Sequence, residues 1–141
     1  MEYLTPTHQE ILDVLRQANV AVIVNNHKVC QKDKFDGYAL TWRDPMNTLK
    51  KTVLVMCNKT IEKNYTDWVG EINRTLAHES VHVAQMCKEG NGYVEPLGFR
   101  KDVEKEAFAI QDQPREVLRI VRKYCLWLDK SKQNIYTKGV V

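Results

Sequence analysis

From about Asp67 to Lys88 the apolar residues Val69, Ile72, Leu76, Val83 and Met86 recur close to every 3.6 positions. This spacing predicts one long amphipathic helix, capped by Thr66 or Asp67 and stopped by Glu89-Gly90-Asn91-Gly92. No other segment constrains the fold as much, because a stripe of that length must be covered by another layer. The same helix carries His78-Glu79-Ser80-Val81-His82. Residues four apart lie one above the other on a helix, so both imidazoles can reach a single point. On a helical wheel the histidines adjoin the apolar face and Glu79 falls within it, between Ile72, Leu76 and Val83. A carboxylate placed there is costly unless a charged or hydrogen-bonding partner meets it.

That pattern is the chemistry of an HExxH site. Two imidazoles on one helical face suit a tetrahedral zinc ion, and the glutamate beside the first can reach a water at that ion. Zinc lowers the pKa of such a water from about 15.7 to near 7, which makes Glu79 the natural acceptor of its proton. One catalytic Zn2+ held by His78 and His82, with Glu79 as general base, is therefore the expectation.

The rest of the chain reads as an α+β arrangement. Thr5-Pro6 or Thr7 opens a first helix with Ile11, Leu12 and Leu15 inward, fading near Asn19. Val20 to Val24 is a short β-branched run ended by Asn25-Asn26. Tyr38 to Trp42 alternates weakly before a turn at Arg43-Asp44-Pro45, and Lys51 to Cys57 is the clearest strand. Together these predict a small, mostly antiparallel sheet. Asn58 to Thr66 is polar and reads as loop. After the long helix, a third should run from Lys101 or Asp102 to Gln111. Pro114 breaks it and opens a fourth with Val117, Leu118, Val121 and Leu126 inward. The tail after Lys130 reads as irregular. The 141 residues suit one domain, 1–141.

Catalytic zinc usually takes three protein ligands and keeps one position open. No histidine follows His82, and His8 and His27 lie far upstream. The third donor is therefore expected in Asp102–Ala109. Glu106, on the flank of the Val103, Ala107, Ile110 stripe, is the choice, with Glu104 on the opposite flank near Phe108 as the alternative. Tyr93, in the loop between the two ligand-bearing helices, is the candidate donor to a tetrahedral oxyanion, with Tyr38, Tyr65 and Arg100 behind it. Asp102, Asp112 and Glu71 are candidates to hold the free ring nitrogens of the histidines.

HESVH, then a loop, then EKEAFA resembles the zincin metallopeptidases of gluzincin type, in which a Glu on the helix after HExxH completes the site. Among small proteins the pattern is similar to ImmA/IrrE-like and minimal-gluzincin proteins, over roughly Thr52 to Ile110. There are departures: Val81 stands where ImmA-like proteins usually carry Gly, and the further His and zinc ribbon of SprT-like proteases are missing. The resemblance implies a zincin-like fold, with a twisted sheet packed on the HExxH helix and two or three helices after it. It also implies zinc-dependent hydrolysis of a peptide or protein substrate. The strand Lys51 to Cys57 would then be an edge that binds an extended peptide. A catalytically silent or partner-triggered module on the same fold is the alternative.

Composition excludes other classes. With 43% hydrophobic and 28% charged residues the chain has material for a real core. A net charge of +3, from 21 basic and 18 acidic residues, is no nucleic-acid signature. The basic Arg115, Arg119, Arg122, Lys123, Lys130 and Lys132 read as the solvated face of a helix, leaving a protease of nucleic-acid-bound proteins as a third option. No apolar run is long enough to cross a membrane, and the N-terminus MEYLTPTHQE does not look like a secretory signal. The cytoplasm is the default location. Cys30, Cys57, Cys87 and Cys125, without a CxxC pair, read as reduced core residues.

Overall fold

The structure, a computed structural model, describes residues 3–32, 35–43, 50–89 and 101–126. Helix α1 spans Pro6–Gln17. Thr5 is extended and its hydroxyl accepts the His8 N–H, while Pro6 occupies the first turn, where its missing N–H costs nothing. Ile11, Leu12 and Leu15 are buried as expected, joined by Val14. Asn19, at φ 62°, turns the chain out of the helix, and Asn25, at φ 65°, turns it again after strand β1, Ala21–Val24. Asparagine tolerates this left-handed conformation better than most residues.

Strands β2 (Gly37–Arg43) and β3 (Lys50–Met56) complete a three-stranded sheet in the order β1-β3-β2. β1 runs parallel to β3, with Ala21 opposite Val53. β2 runs antiparallel, with Ala39 opposite Leu54. The sheet is thus mixed, where a mostly antiparallel one was expected. β3 is also its central strand and not an edge, which corrects the peptide-binding role expected of Lys51 to Cys57. It pairs with β1 on one side and β2 on the other, and its composition suits a fully covered strand: Val53, Leu54, Val55 and Met56 are all buried. Strand side chains alternate between faces, so a run that is apolar at every position must be covered on both. Leu54 and Met56 join Val22, Val24 and Ala39 against the helices, while Val53, Val55 and Cys57 meet Ala21, Ile23, Val29, Cys30 and Tyr38 on the other face.

The polar stretch expected as loop contains helix α2, Asn58–Asn64. Its one fully buried apolar anchor, Ile61, leaves no periodic stripe to detect. Helix α3, Trp68–Glu89, then runs through the middle of the molecule, touching α1, α2, β2 and β3. Asp67 Oδ1 accepts the Gly70 N–H at 3.1 Å, which caps its start. Ile72, Leu76, Val83 and Met86 are buried, and so are Ala77, Val81 and Ala84. Val69, expected inward, is exposed in the first turn. Helix α4 (Lys101–Ile110) and helix α5 (Pro114–Val121) pack on α3, and a π-helical turn follows at Arg122–Leu126. Val117, Leu118 and Val121 are buried as expected, and Leu126 partly so. Among the described residues, no helix is long and apolar enough to cross a membrane.

The cysteines are paired, not reduced. Cys30 bonds Cys57 and Cys87 bonds Cys125, across 27 and 38 residues. Their Cα atoms are 5.3 and 5.2 Å apart, inside the range a bridge spans without backbone movement. Spacing along the sequence carried no hint of this because folding alone closes the separations. The first bridge ties the 3-10 turn Lys28–Lys32 to the end of β3, and the second ties the last turn of α3 to the π-helical turn. Closing loops of this length restricts the unfolded chain by roughly 2–4 kcal/mol per bridge. Urea unfolding with and without dithiothreitol should show that loss on reduction, and an unchanged midpoint would mean the bridges do not form.

Candidate metal centre

His78 and His82 leave α3 on the side facing α4, stacked one turn apart with ring centroids 5.0 Å apart. Glu104 of α4 meets both: its Oε1 lies 3.2 Å from His78 Nε2 and 2.5 Å from His82 Nε2. These three donor atoms all lie within 4.8 Å of one another. Glu104, not Glu106, completes this group. Glu106 turns away and accepts the Gln85 Nε2–H at 2.8 Å. Val103 and Ala107 are buried as the stripe predicts, but that stripe alone does not say which flank faces the histidines; here it is the Glu104 flank.

The outer hydrogen bonds fix the tautomer of His82. Gln85 Nε2 donates to both Val103 O, at 3.0 Å, and Glu106. Its Oε1 is thereby turned to His82 Nδ1, 2.9 Å away, and an amide oxygen only accepts. His82 Nδ1 therefore carries a hydrogen, and Nε2 is the nitrogen that faces Glu104. His78 donates Nδ1–H in the same way to Gln111 Oε1, 2.9 Å away. A carboxylate oxygen set against two imidazole nitrogens calls for a proton or a cation among them. A tetrahedral zinc with bonds of about 2.0–2.2 Å holds its donors roughly 3.3 Å apart. The His78–Glu104 separation already matches this, and the His82–Glu104 pair would have to part slightly. The group can hold a metal ion, and its two imidazoles and one carboxylate suit zinc without singling it out.

Glu79, the residue after His78 on α3, faces β2 and still feels the charge of Glu104. It is buried, and a backbone hydrogen bond from Ala39 meets its carboxylate. Burial, then the charges of Glu104 and Asp36, push its carboxyl up to about 8, against which the Ala39 bond works. The close approach of β2 depends on Gly37. A Cβ there would lie 2.7 Å from Thr75 Cγ2 and 2.8 Å from Glu79 Cγ. Gly37→Ala should therefore push β2 off α3 and cost roughly 1–3 kcal/mol in urea unfolding. Wild-type stability in that variant would show that the strand has room to spare.

Several sequence candidates are employed elsewhere. Glu71 and Asp112 both bind Arg74, at 2.6 and 2.9 Å, and neither meets a histidine. The Tyr65 hydroxyl donates to Asp36 Oδ2 at 2.7 Å, which pushes its pKa up to about 12. Tyr38 packs on the far face of the sheet. Tyr93 and Arg100 lie outside the described residues. Gln85, Gln111 and Gly37 did not stand out in the sequence. Each has a local signal only in hindsight: Gln85 follows His82 by three, Gln111 follows Glu104 by seven, and Gly37 opens a strand, where glycine often marks close backbone approach.

A family model described as Domain of unknown function (DUF8637) matches residues 1–101. The chain belongs to that family. The matched segment contains all of α3, with His78, Glu79 and His82, and ends at the first residue of α4, so Glu104 and Gln111 lie beyond it. No curated protein matches the chain, and no solved structure does.

Proposed function

We propose that this protein is a zinc-dependent metallopeptidase with a zincin-like fold, its ion held by His78, His82 and Glu104 and its general base Glu79. The observation that carries this reading is the convergence of two oriented imidazoles and one carboxylate beside a buried Glu79. When bound, zinc supplies Lewis acidity to a carbonyl and acidifies a water. Glu79 takes the proton from that water on its carboxylate and returns it to the leaving amine. Between the two steps the group is a neutral carboxylic acid, the form that burial favours, while the Ala39 bond supports the carboxylate on either side of them. Gln85 and Gln111 engage the Nδ1 atoms and so aim the histidine Nε2 atoms inward.

β2, an edge strand lying against the metal-bearing helix, supports a role in holding an extended substrate by main-chain hydrogen bonds. Two-histidine, one-carboxylate sets also serve iron(II). The buried Glu79 favours zinc, because a base beside the ion is what hydrolysis requires. The two disulfides favour an oxidising compartment over the cytoplasm expected from the sequence.

The silent-module reading shares the same metal site and differs only in turnover. The nucleic-acid option is weaker: Arg119 pairs with Glu116 and Arg122 with Glu10, as on an ordinary solvated helix face. Incubating zinc-loaded wild type and Glu79→Gln with a mixed peptide library separates the first two. Cleavage in wild type only supports the peptidase; zinc bound without Glu79-dependent cleavage supports the silent module.

A further inference from the structure

Glu104, Phe108 and Gln111 are spaced four and three residues apart, so they share one face along and just beyond α4. Glu104 meets both histidines and Gln111 holds His78 Nδ1. Between them the Phe108 ring packs edge-on against the His78 ring, with centroids 4.7 Å apart at 63°. Yet Phe108 is 60% exposed, the largest exposure among the described large apolar residues. The other apolar residues of α4 behave differently: Val103 and Ala107 are buried and Ile110 is partly buried on the core. The other exposed aromatics with a ring partner are engaged elsewhere, Tyr3 with Trp68 and Phe35 with Tyr38. Holding His78 in place does not require an open ring, because Gln111 already fixes that imidazole. An aromatic ring that touches a metal ligand with one edge and leaves its remaining surface to solvent is a wall of the centre itself.

We infer that Phe108 selects the substrate, its open face receiving an aromatic or large aliphatic side chain next to the scissile bond. This rests on the peptidase reading above. A chain lying across His78 passes that face, and stacking there removes apolar surface from water on both partners. Small or charged side chains at the same position gain nothing from it.

Amino-acid hydroxamates test this without turnover, since the hydroxamate anchors on zinc and leaves the side chain as the variable. Phenylalanine hydroxamate and alanine hydroxamate are titrated calorimetrically into zinc-loaded wild type, Phe108→Ala and Phe108→Leu. Wild type should prefer the phenylalanine compound about tenfold. Phe108→Ala should abolish that preference while binding alanine hydroxamate as wild type does, and Phe108→Leu should keep part of it. Absence of a preference in wild type, or its survival in Phe108→Ala, overturns the role of Phe108 while leaving the metal centre standing. Failure of both hydroxamates to bind zinc-loaded wild type overturns the peptidase reading, which needs an open position on the ion, and this inference with it.

Discussion

Glu104→Gln should strip the protein of tight zinc, whereas Glu106→Gln should leave most of the affinity in place. Glu104 Oε1 is the one carboxylate oxygen within reach of both His78 Nε2 and His82 Nε2 among the described residues. Replacing it by an amide removes a charge and a donor together. The loss should exceed the roughly 10–100-fold that removal of an outer hydrogen-bond partner costs. Glu106 acts at one remove from the ligands, through Gln85 and then His82, so its loss should stay within that roughly 10–100-fold range. Competition titrations against a chelator of known affinity give both numbers. Equal losses in the two variants would mean that Glu106 is itself a ligand, the role the sequence had suggested for it.

Glu79→Gln should abolish turnover by about 10²–10⁴-fold while zinc affinity stays near wild type. The same variant has a second readout in the protein without zinc. The Glu79 carboxyl is pushed up to about 8 in the fold, against about 4.3 in an unfolded chain. A raised acid contributes stability that is fully present below the unfolded value and is lost as pH rises through the folded one. The zinc-free protein should therefore become less stable between about pH 4.5 and 8, by an amount on the order of 5 kcal/mol at most. A glutamine side chain cannot ionise, so the variant should lack this part of the slope. Zinc should suppress it too, because a nearby dication favours the carboxylate. Urea midpoints measured across that range check the direction, and a slope identical in wild type and variant would show that Glu79 is not buried as described.

The legible parts of the fold were those where one pattern decides one contact. The stripe on α3, the Thr5-Pro6 cap of α1 and the Pro114 start of α5 depend on residues a few positions apart, and the sequence displays them directly. Glu79 was legible for the same reason, since a wheel places it among Ile72, Leu76 and Val83. What failed needed long-range information. Whether Glu104 or Glu106 faces the histidines depends on the rotation of α4 against α3, and their positions on the two flanks of one stripe leave that open. The unbroken apolar run of β3 marks a strand covered on both faces, but its central place and its parallel partner β1 were not readable from it. The disulfides depend on separations of 27 and 38 residues that only the folded chain closes.

The metal centre is tested most directly by loading the purified protein with zinc, counting the ion by mass spectrometry and reading its ligands by X-ray absorption. One zinc per chain, bound by two imidazole nitrogens and one carboxylate oxygen, is expected. The signal should collapse in His82→Ala and in Glu104→Gln. Failure to retain one zinc per chain, or a ligand set that is unchanged in those two variants, would contradict it.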